Sequence, residues 1–322
     1  MKLHSLGLDH LHGFFSRELS PALTVDSGDR VAFEALDAGW GKPQAAEPFQ
    51  HPGAFERRNL PNDYGHALTG PVAIRGAEPG MALEIRILKV RPGNWGWSAG
   101  PGLPSQIDER LGLGASASGP PAVVSVPPAG LATFWELDAE GGLGRTQQGL
   151  SLRLRPFMGI MGVAADEAGP QSTFPPRFCG GNMDCKELVA GTTLFLPVCV
   201  PGGLFSLGDG HAVQGNGEMA GPALACPMEV EVELHLRPDL KLSMPRAWTP
   251  HGWLTFGFHS DLNEAWIQAT EEMVGLMSEL YPLSRKEALG LSSLVVDLSL
   301  TQCVNGVRGV HAFLAHDALS LP

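Results

Sequence analysis

Residues 228–236 read M-E-V-E-V-E-L-H-L. Val230, Val232 and Leu234 fall on one face and Glu229, Glu231 and Glu233 on the other, the period of two that belongs to a half-solvated β-strand. The glutamates are read as a solvated face rather than as chemistry. The same alternation recurs upstream. Leu23 and Val25, then Val31 and Phe33, flank D-S-G-D and predict a hairpin. Val72 and Ile74, then Leu83, Ile85 and Ile87, flank the turn A-E-P-G. Ala122–Val126, Ala132–Leu137 and Leu150–Arg155 read as further short strands, and Met158–Ala164 as a buried, glycine-relieved one. Between these, residues 38–65 form a long loop, and residues 92–120, with Trp95 and Trp97, an irregular covering.

Only downstream does the period become helical. Asp261 caps a helix with Glu264 three residues on, and Ala265, Trp266, Ala269, Met273, Leu276, Met277 and Leu280 make its apolar stripe. Ser284 and Glu287 form a capping box for a second helix that continues through Leu298. A closing hairpin turns at Asn305-Gly306. No internal repeat is present. The expected fold is α+β and predominantly β, with sandwich- or barrel-like sheets in two lobes, residues 1–165 and 166–322, and two helices late in the chain.

At 322 residues the chain can bury a sizeable core, and 43% hydrophobic with 17% charged residues is a globular composition. The formal charge of −12, with no Lys/Arg cluster, opposes nucleic acid and anionic membrane as partners. No stretch approaches the roughly 18 apolar residues of a membrane span, and the first residues lack a signal-peptide core. Five cysteines without a C-x-x-C pair suggest reduced thiols. A soluble cytoplasmic protein is the expectation.

The chemistry concentrates between Cys179 and Glu218. There Asn182, Asp184, Asp209, His211, Gln214 and Glu218 stand among glycines and short apolar runs where charge needs a partner. Asn182 with Asp184, and Asp209 with His211, are i,i+2 pairs that share a face on a strand. Asp184, Asp209, His211 and Glu218 make a donor set for a divalent ion, zinc first and calcium as the alternative. An ion there would activate water for hydrolysis, and a nearby carboxylate could pass a proton to a departing amine.

Each residue also has an ordinary reading. Asp184 and Asp209 can serve turns, His211 can be a satisfied core histidine, and Glu218 can simply open the next strand. A non-catalytic β-rich protein using the cation as a staple is therefore the second hypothesis. A cysteine amidase using Cys185 is the third, although Glu187 and Lys186 lie on opposite strand faces and cannot both assist it. No G-x-S-x-G, P-loop or dinucleotide fingerprint is present.

The segments D-S-G-D-R-V-A-F-E-A-L-D, T-G-P-V-A-I-R-G-A-E-P-G, P-F-M-G-I-M-G-V-A, P-P-R-F-C-G-G-N-M-D and L-P-V-C-V-P-G-G-L-F-S-L-G-D-G-H-A-V-Q-G-N-G-E, with a weaker T-Q-C-V-N-G-V-R-G-V-H-A, resemble the acetamidase/formamidase family. The resemblance implies a β-rich homo-oligomer, dimer or higher, that hydrolyses small carboxamides or lactams. It places Asn182 and Gln214 at the substrate, and Asp184, His211 and Glu218 in catalysis. Ala165 departs from the proline usual after G-V-A, and residues 100–150 are compact for the family.

Overall fold

The structure is a computed structural model that describes residues 1–42, 49–60, 62–99, 106–113 and 123–320. Among these, strands dominate and no sheet closes into a barrel. A nine-stranded sheet runs in the order β1 (Leu3–Leu6), β4 (Asp29–Ala35), β15 (Met228–Arg237), β6 (Ala82–Pro92), β13 (Thr193–Pro197), β16 (Arg246–Thr249), β17 (Gly252–His259), β19 (Arg308–Ala315), β18 (Val296–Gln302). A six-stranded sheet has the order β12 (Gly180–Asn182), β11 (Phe157–Gly162), β14 (Phe205–His211), β5 (Leu68–Ile74), β2 (Leu11–His12), and β3 (Leu23–Val25) joins β5 in parallel. A smaller sheet orders β10 (Ser151–Arg153), β9 (Leu143–Thr146), β8 (Ala132–Asp138) and β7 (Trp95–Ala99).

The alternating strand at 228–237 sits between β4 and β6 and buries Val230, Val232 and Leu234 as its period requires. Its outer face is solvated at Glu229, whereas Glu233 is only 5% exposed because Arg30 and Arg86 lie over it at 3.2 and 3.1 Å. The inner faces of the two large sheets meet in one apolar core, with Phe33 from β4 edge-on to Phe205 from β14 at 6.0 Å. Burying each such ring contributes about 1.5–3 kcal/mol. That core fixes where β14 lies, and β14 carries two of the site residues.

Among the described residues there are three helices: α1 (Gln106–Leu111), α2 (Leu262–Leu280) and α3 (Arg285–Val295). Asp261 caps α2 by accepting from the Asn263 amide, and the Ser284–Glu287 capping box starts α3. Ala265, Ala269, Met273, Leu276 and Met277 are buried as the stripe requires, while Trp266 and Leu280 are 40% and 39% exposed. Helix α2 crosses β17 so closely that a Cβ on Gly257 would lie 2.0 Å from the Ala265 carbonyl. No helix among the described residues is long and apolar enough to cross a membrane.

Several expectations are corrected. The strands around D-S-G-D do not form a hairpin: β3 joins the six-stranded sheet and β4 the nine-stranded one. Alternation identifies a strand but not its partner. Strands from before and after residue 165 share both large sheets, β15 lying between β4 and β6, and β14 between β11 and β5. Helix α3 stops at Val295 and β18 starts at Val296, so Leu298 is in a strand. Trp95–Ala99 is a strand rather than irregular covering. Residues 123–126 form no strand, and Ala122 lies outside the described residues. The hairpin at Asn305-Gly306 is present between β18 and β19.

Candidate active site

Strand β14 ends F-S-L-G-D-G-H and runs antiparallel to β11, with Phe157 opposite His211 and Ile160 opposite Gly208. Asp209 and His211 meet as their spacing predicts: His211 Nε2 lies 3.0 Å from Asp209 Oδ1. The pair expected of Asn182 and Asp184 does not form on a strand. Strand β12 ends at Asn182, and Asp184 turns beyond it with a φ of 49°. That turn brings Asp184 Oδ1 to 3.9 Å from His211 Nδ1.

Gly159 on β11 forms the floor. A Cβ there would lie 2.7 Å from Asp184 Oδ1, 2.8 Å from Asp209 Oδ2 and 3.0 Å from His211 Cε1. Only glycine allows the backbone this close. Glu218 enters from the turn after β14, where its Oε1 accepts from the Ala223 amide at 2.9 Å. One ligand atom from each of Asp184, His211 and Glu218 lies within 4.8 Å of the others. These three residues form a triad able to hold a metal ion.

The backbone is strained where the carboxylates sit. Of six non-glycine residues with positive φ among the described residues, three are Asp184, Asp209 and Glu218, at 49°, 56° and 48°. Such conformations cost about 1–3 kcal/mol each and persist where the surroundings impose them.

Hydrogen bonds settle the protons on His211. Gln214 Nε2 donates to the Asp184 main-chain carbonyl at 2.8 Å, which turns Gln214 Oε1 toward His211 Nδ1 at 2.9 Å. Without an ion both nitrogens therefore carry hydrogen, Nδ1 toward Gln214 and Nε2 toward the Asp209 carboxylate, and His211 must give up one of the two to act as a ligand. Burial alone would lower this imidazole's pKa, but the Asp209 charge and hydrogen bond reverse that and hold it up at about 9. In Asp209, burial pushes upward and the His211 charge outweighs it, leaving the carboxyl below its ordinary value.

The other two carboxyls are not so served. Burial pushes Asp184 up to about 7, and burial together with the Asp184 charge raises Glu218 well above the usual range. Asp184 Oδ1 and Glu218 Oε2 are buried without a donor, and so is Asn182 Oδ1. With His211 neutral, as a ligand must be, three ionised carboxylates would leave three negative charges in a buried site. A divalent cation would offset most of that charge and satisfy both orphaned oxygens, so the residues present fit such an ion.

Five of the six residues expected at the site thus converge: Asp184, Asp209, His211, Gln214 and Glu218. Asn182 is buried beside them at the end of β12. Asp209 stands apart from the triad because it is bonded to His211. Gln214 spends its amide oxygen and one N–H on protein partners.

Sequence reading missed four contributors. Asn305 donates to Asp184 Oδ2 from the β18–β19 turn, and its N-G pairing signals only a turn. His66 is a buried neutral imidazole held to Thr173 Oγ1 at 2.8 Å; burial lowers its pKa, and it feels the charges of Asp209 and His211. Asp37 accepts from Trp97 Nε1 and the Gly39 and Gly41 amides, and burial raises its carboxyl. Gly159 carries no side chain to notice. Cys185 is fully buried, and its thiol is pushed up to about 12 by that burial.

Fold and site together define an α+β protein, mostly β, with a buried carboxylate–imidazole centre suited to one divalent ion. The chain belongs to the acetamidase/formamidase family, whose model matches residues 7–172 and 164–247. A formamidase of Methylophilus methylotrophus is 27% identical over 250 residues, 65% of this chain and 59% of that protein. An acetamidase of Mycolicibacterium smegmatis is 26% identical over 265 residues, 65% of this chain and 61% of that one. The chain thus spans about three fifths of the length of these curated relatives. The crystal structure of an acetamidase from Bacillus halodurans superposes with a TM-score of 0.80 at 29% identity, covering 97% of each chain.

Proposed function

We propose that this protein is a metal-dependent hydrolase of the C–N bond of small carboxamides, releasing a carboxylate and ammonia. The observation that carries the reading is the pair of buried, donorless oxygens, Asp184 Oδ1 and Glu218 Oε2, beside His211 in a chain of this family. Asp184, His211 and Glu218 would hold the ion. A nitrogen and two carboxylate oxygens suit zinc better than calcium, which takes six or more oxygens. A divalent ion polarises an amide carbonyl and makes water a better nucleophile near neutral pH.

The chain's own residues supply the rest. Burial and the Asp184 charge keep Glu218 protonated without an ion; with the ion's charge beside it Glu218 would be ionised, and its carboxylate would then take a proton from the attacking water and return it to the departing nitrogen. Asp209 orients His211, as carboxylates do behind metal-binding imidazoles. Asn182 Oδ1, buried and without a donor, accepts an N–H of the amide. Gln214, read from the family as substrate-binding, is reassigned to positioning His211 and Asp184. The family match supports small acyclic amides as substrates, with lactams kept as a second class.

The five unpaired cysteines fit a reducing cytoplasm. Edge strand β18, with Leu298 and Leu300 exposed, offers a face for a homo-oligomer.

The test is ammonia release from formamide, acetamide and lactams before and after exhaustive chelation, with zinc restored. Activity that falls on chelation and returns with zinc is expected. Undiminished release from metal-free protein refutes the metal's role, and a metal-binding protein inert on the whole panel returns the reading to a structural staple.

A further inference from the structure

Asp184 is held at almost every polar atom. Its amide donates to the Gly159 carbonyl at 3.2 Å, its carbonyl accepts from Gln214 at 2.8 Å, and its Oδ2 accepts from Asn305 Nδ2. Only Oδ1 is left without a donor, and it points at the Gly159 floor beside His211. Asn305 is the one side-chain amide that donates to this carboxylate among the described residues, and it comes from a hairpin 121 residues away.

That hairpin tip is itself anchored. Gln302, fully buried, accepts the Val304 and Asn305 amides on Oε1 at 2.9 and 3.1 Å, and its Nε2 donates to the Val307 carbonyl at 3.3 Å. The strand leading into the tip pairs with the residue before Glu218. The Gly217 amide donates to the Thr301 carbonyl at 3.0 Å, and the Cys303 amide to the Gly217 carbonyl at 3.1 Å. One element therefore grips Asp184 through a side chain and, through the backbone of Gly217, the residue next to Glu218. The family match ends at residue 247, well before this hairpin.

The geometry points to Asn305 as a positioning residue of the metal site: by occupying Asp184 Oδ2 it makes Asp184 a one-oxygen ligand and, with Gly217, sets its separation from Glu218. This inference rests on the metal-site reading above. Without the Asn305 donor, Asp184 can rotate and present both oxygens, and its orphaned Oδ2 costs desolvation energy in the buried site. Partners standing behind a ligand are typically worth about 10–100-fold in metal affinity.

The experiment compares wild type with Asn305→Ala and Asn305→Ser, each checked for folding by circular dichroism; the serine variant carries the test if alanine does not fold. Zinc affinity is measured by competition with a chromophoric chelator, and the site is viewed through the visible spectrum of the cobalt(II)-loaded protein. Zinc binding weakened by about tenfold or more, with an altered cobalt spectrum, is expected. Affinity within threefold of wild type and an unchanged cobalt spectrum in a folded variant overturn the inference, because a purely turn-stabilising Asn305 would lower only the melting temperature. Wild-type protein that binds neither ion overturns the metal-site reading itself, a result distinct from the former.

Discussion

Gly159→Ala is the sharpest perturbation of the site, because it adds a single methyl to its floor. The new Cβ would sit 2.7 Å from Asp184 Oδ1 and 2.8 Å from Asp209 Oδ2, several tenths of an ångström inside ordinary contact. None of the neighbours can easily withdraw. Strand β11 is laddered to β12 on one side and β14 on the other, Asp184 Oδ2 is tied to Asn305, and Asp209 Oδ1 is tied to His211. Overpacking of this kind costs about 1–3 kcal/mol. The loss of unfolded-state freedom on replacing glycine returns about 0.4–1 kcal/mol. A net destabilisation of about 1–2 kcal/mol is expected in urea denaturation of the chelated protein. Because the methyl pushes on two carboxylate oxygens at once, zinc affinity by calorimetry should fall by about tenfold or more. Gly290→Ala, inside α3 with nothing within 4 Å, is the control and should stabilise slightly. A Gly159→Ala protein with wild-type stability and wild-type zinc affinity would refute the site geometry described above.

Metal-free protein should lose thermal stability as pH rises from about 6.5 to about 9, whereas zinc-loaded protein should not. His211, held up at about 9, contributes stability that is present below its unfolded value and lost as pH climbs through 9, while Asp184, raised to about 7, withdraws its stability at lower pH, between about 4 and 7, where the unfolded carboxyl has ionised and the folded one has not. Over the same range zinc affinity should climb, by up to about tenfold per pH unit for each proton the ion displaces; differential scanning and competition titrations at each pH check both trends. Cys185→Ala should keep ammonia release within a fewfold of wild type despite a cavity cost of about 1 kcal/mol, and its abolition in a folded variant would revive the cysteine mechanism.

What could be read in the residues alone follows a physical boundary between local and long-range information. The alternation at 228–236 and the caps at Asp261 and Ser284 are local patterns, and the structure contains the elements they predict. The run V-V-D-L-S-L-T, residues 295–301, is ambiguous for a local reason. Leu291, Leu294 and Leu298 continue a helical stripe while Val296, Leu298 and Leu300 alternate, and pairing with β19 decides for the strand. Which strands pair is absent from any local pattern, and this is why D-S-G-D reads as a hairpin but links two sheets.

The site divides the same way. Asp209 and His211 are legible because two residues on one strand must share a face. Asp184 and Glu218 are legible as residue types in a glycine-rich stretch, but their positive φ values, which aim them inward, are not. Asn305 and His66 are invisible because each enters the site only through the packing of distant elements. The same separation that hides Asn305 gives it leverage: a donor carried on the β18–β19 hairpin reports to Asp184 whether that hairpin is docked on Gly217. The Asp184–Glu218 pair therefore reaches this spacing only when the C-terminal strands have joined the large sheet, and assembly of the two carboxyls is coupled to completion of the fold.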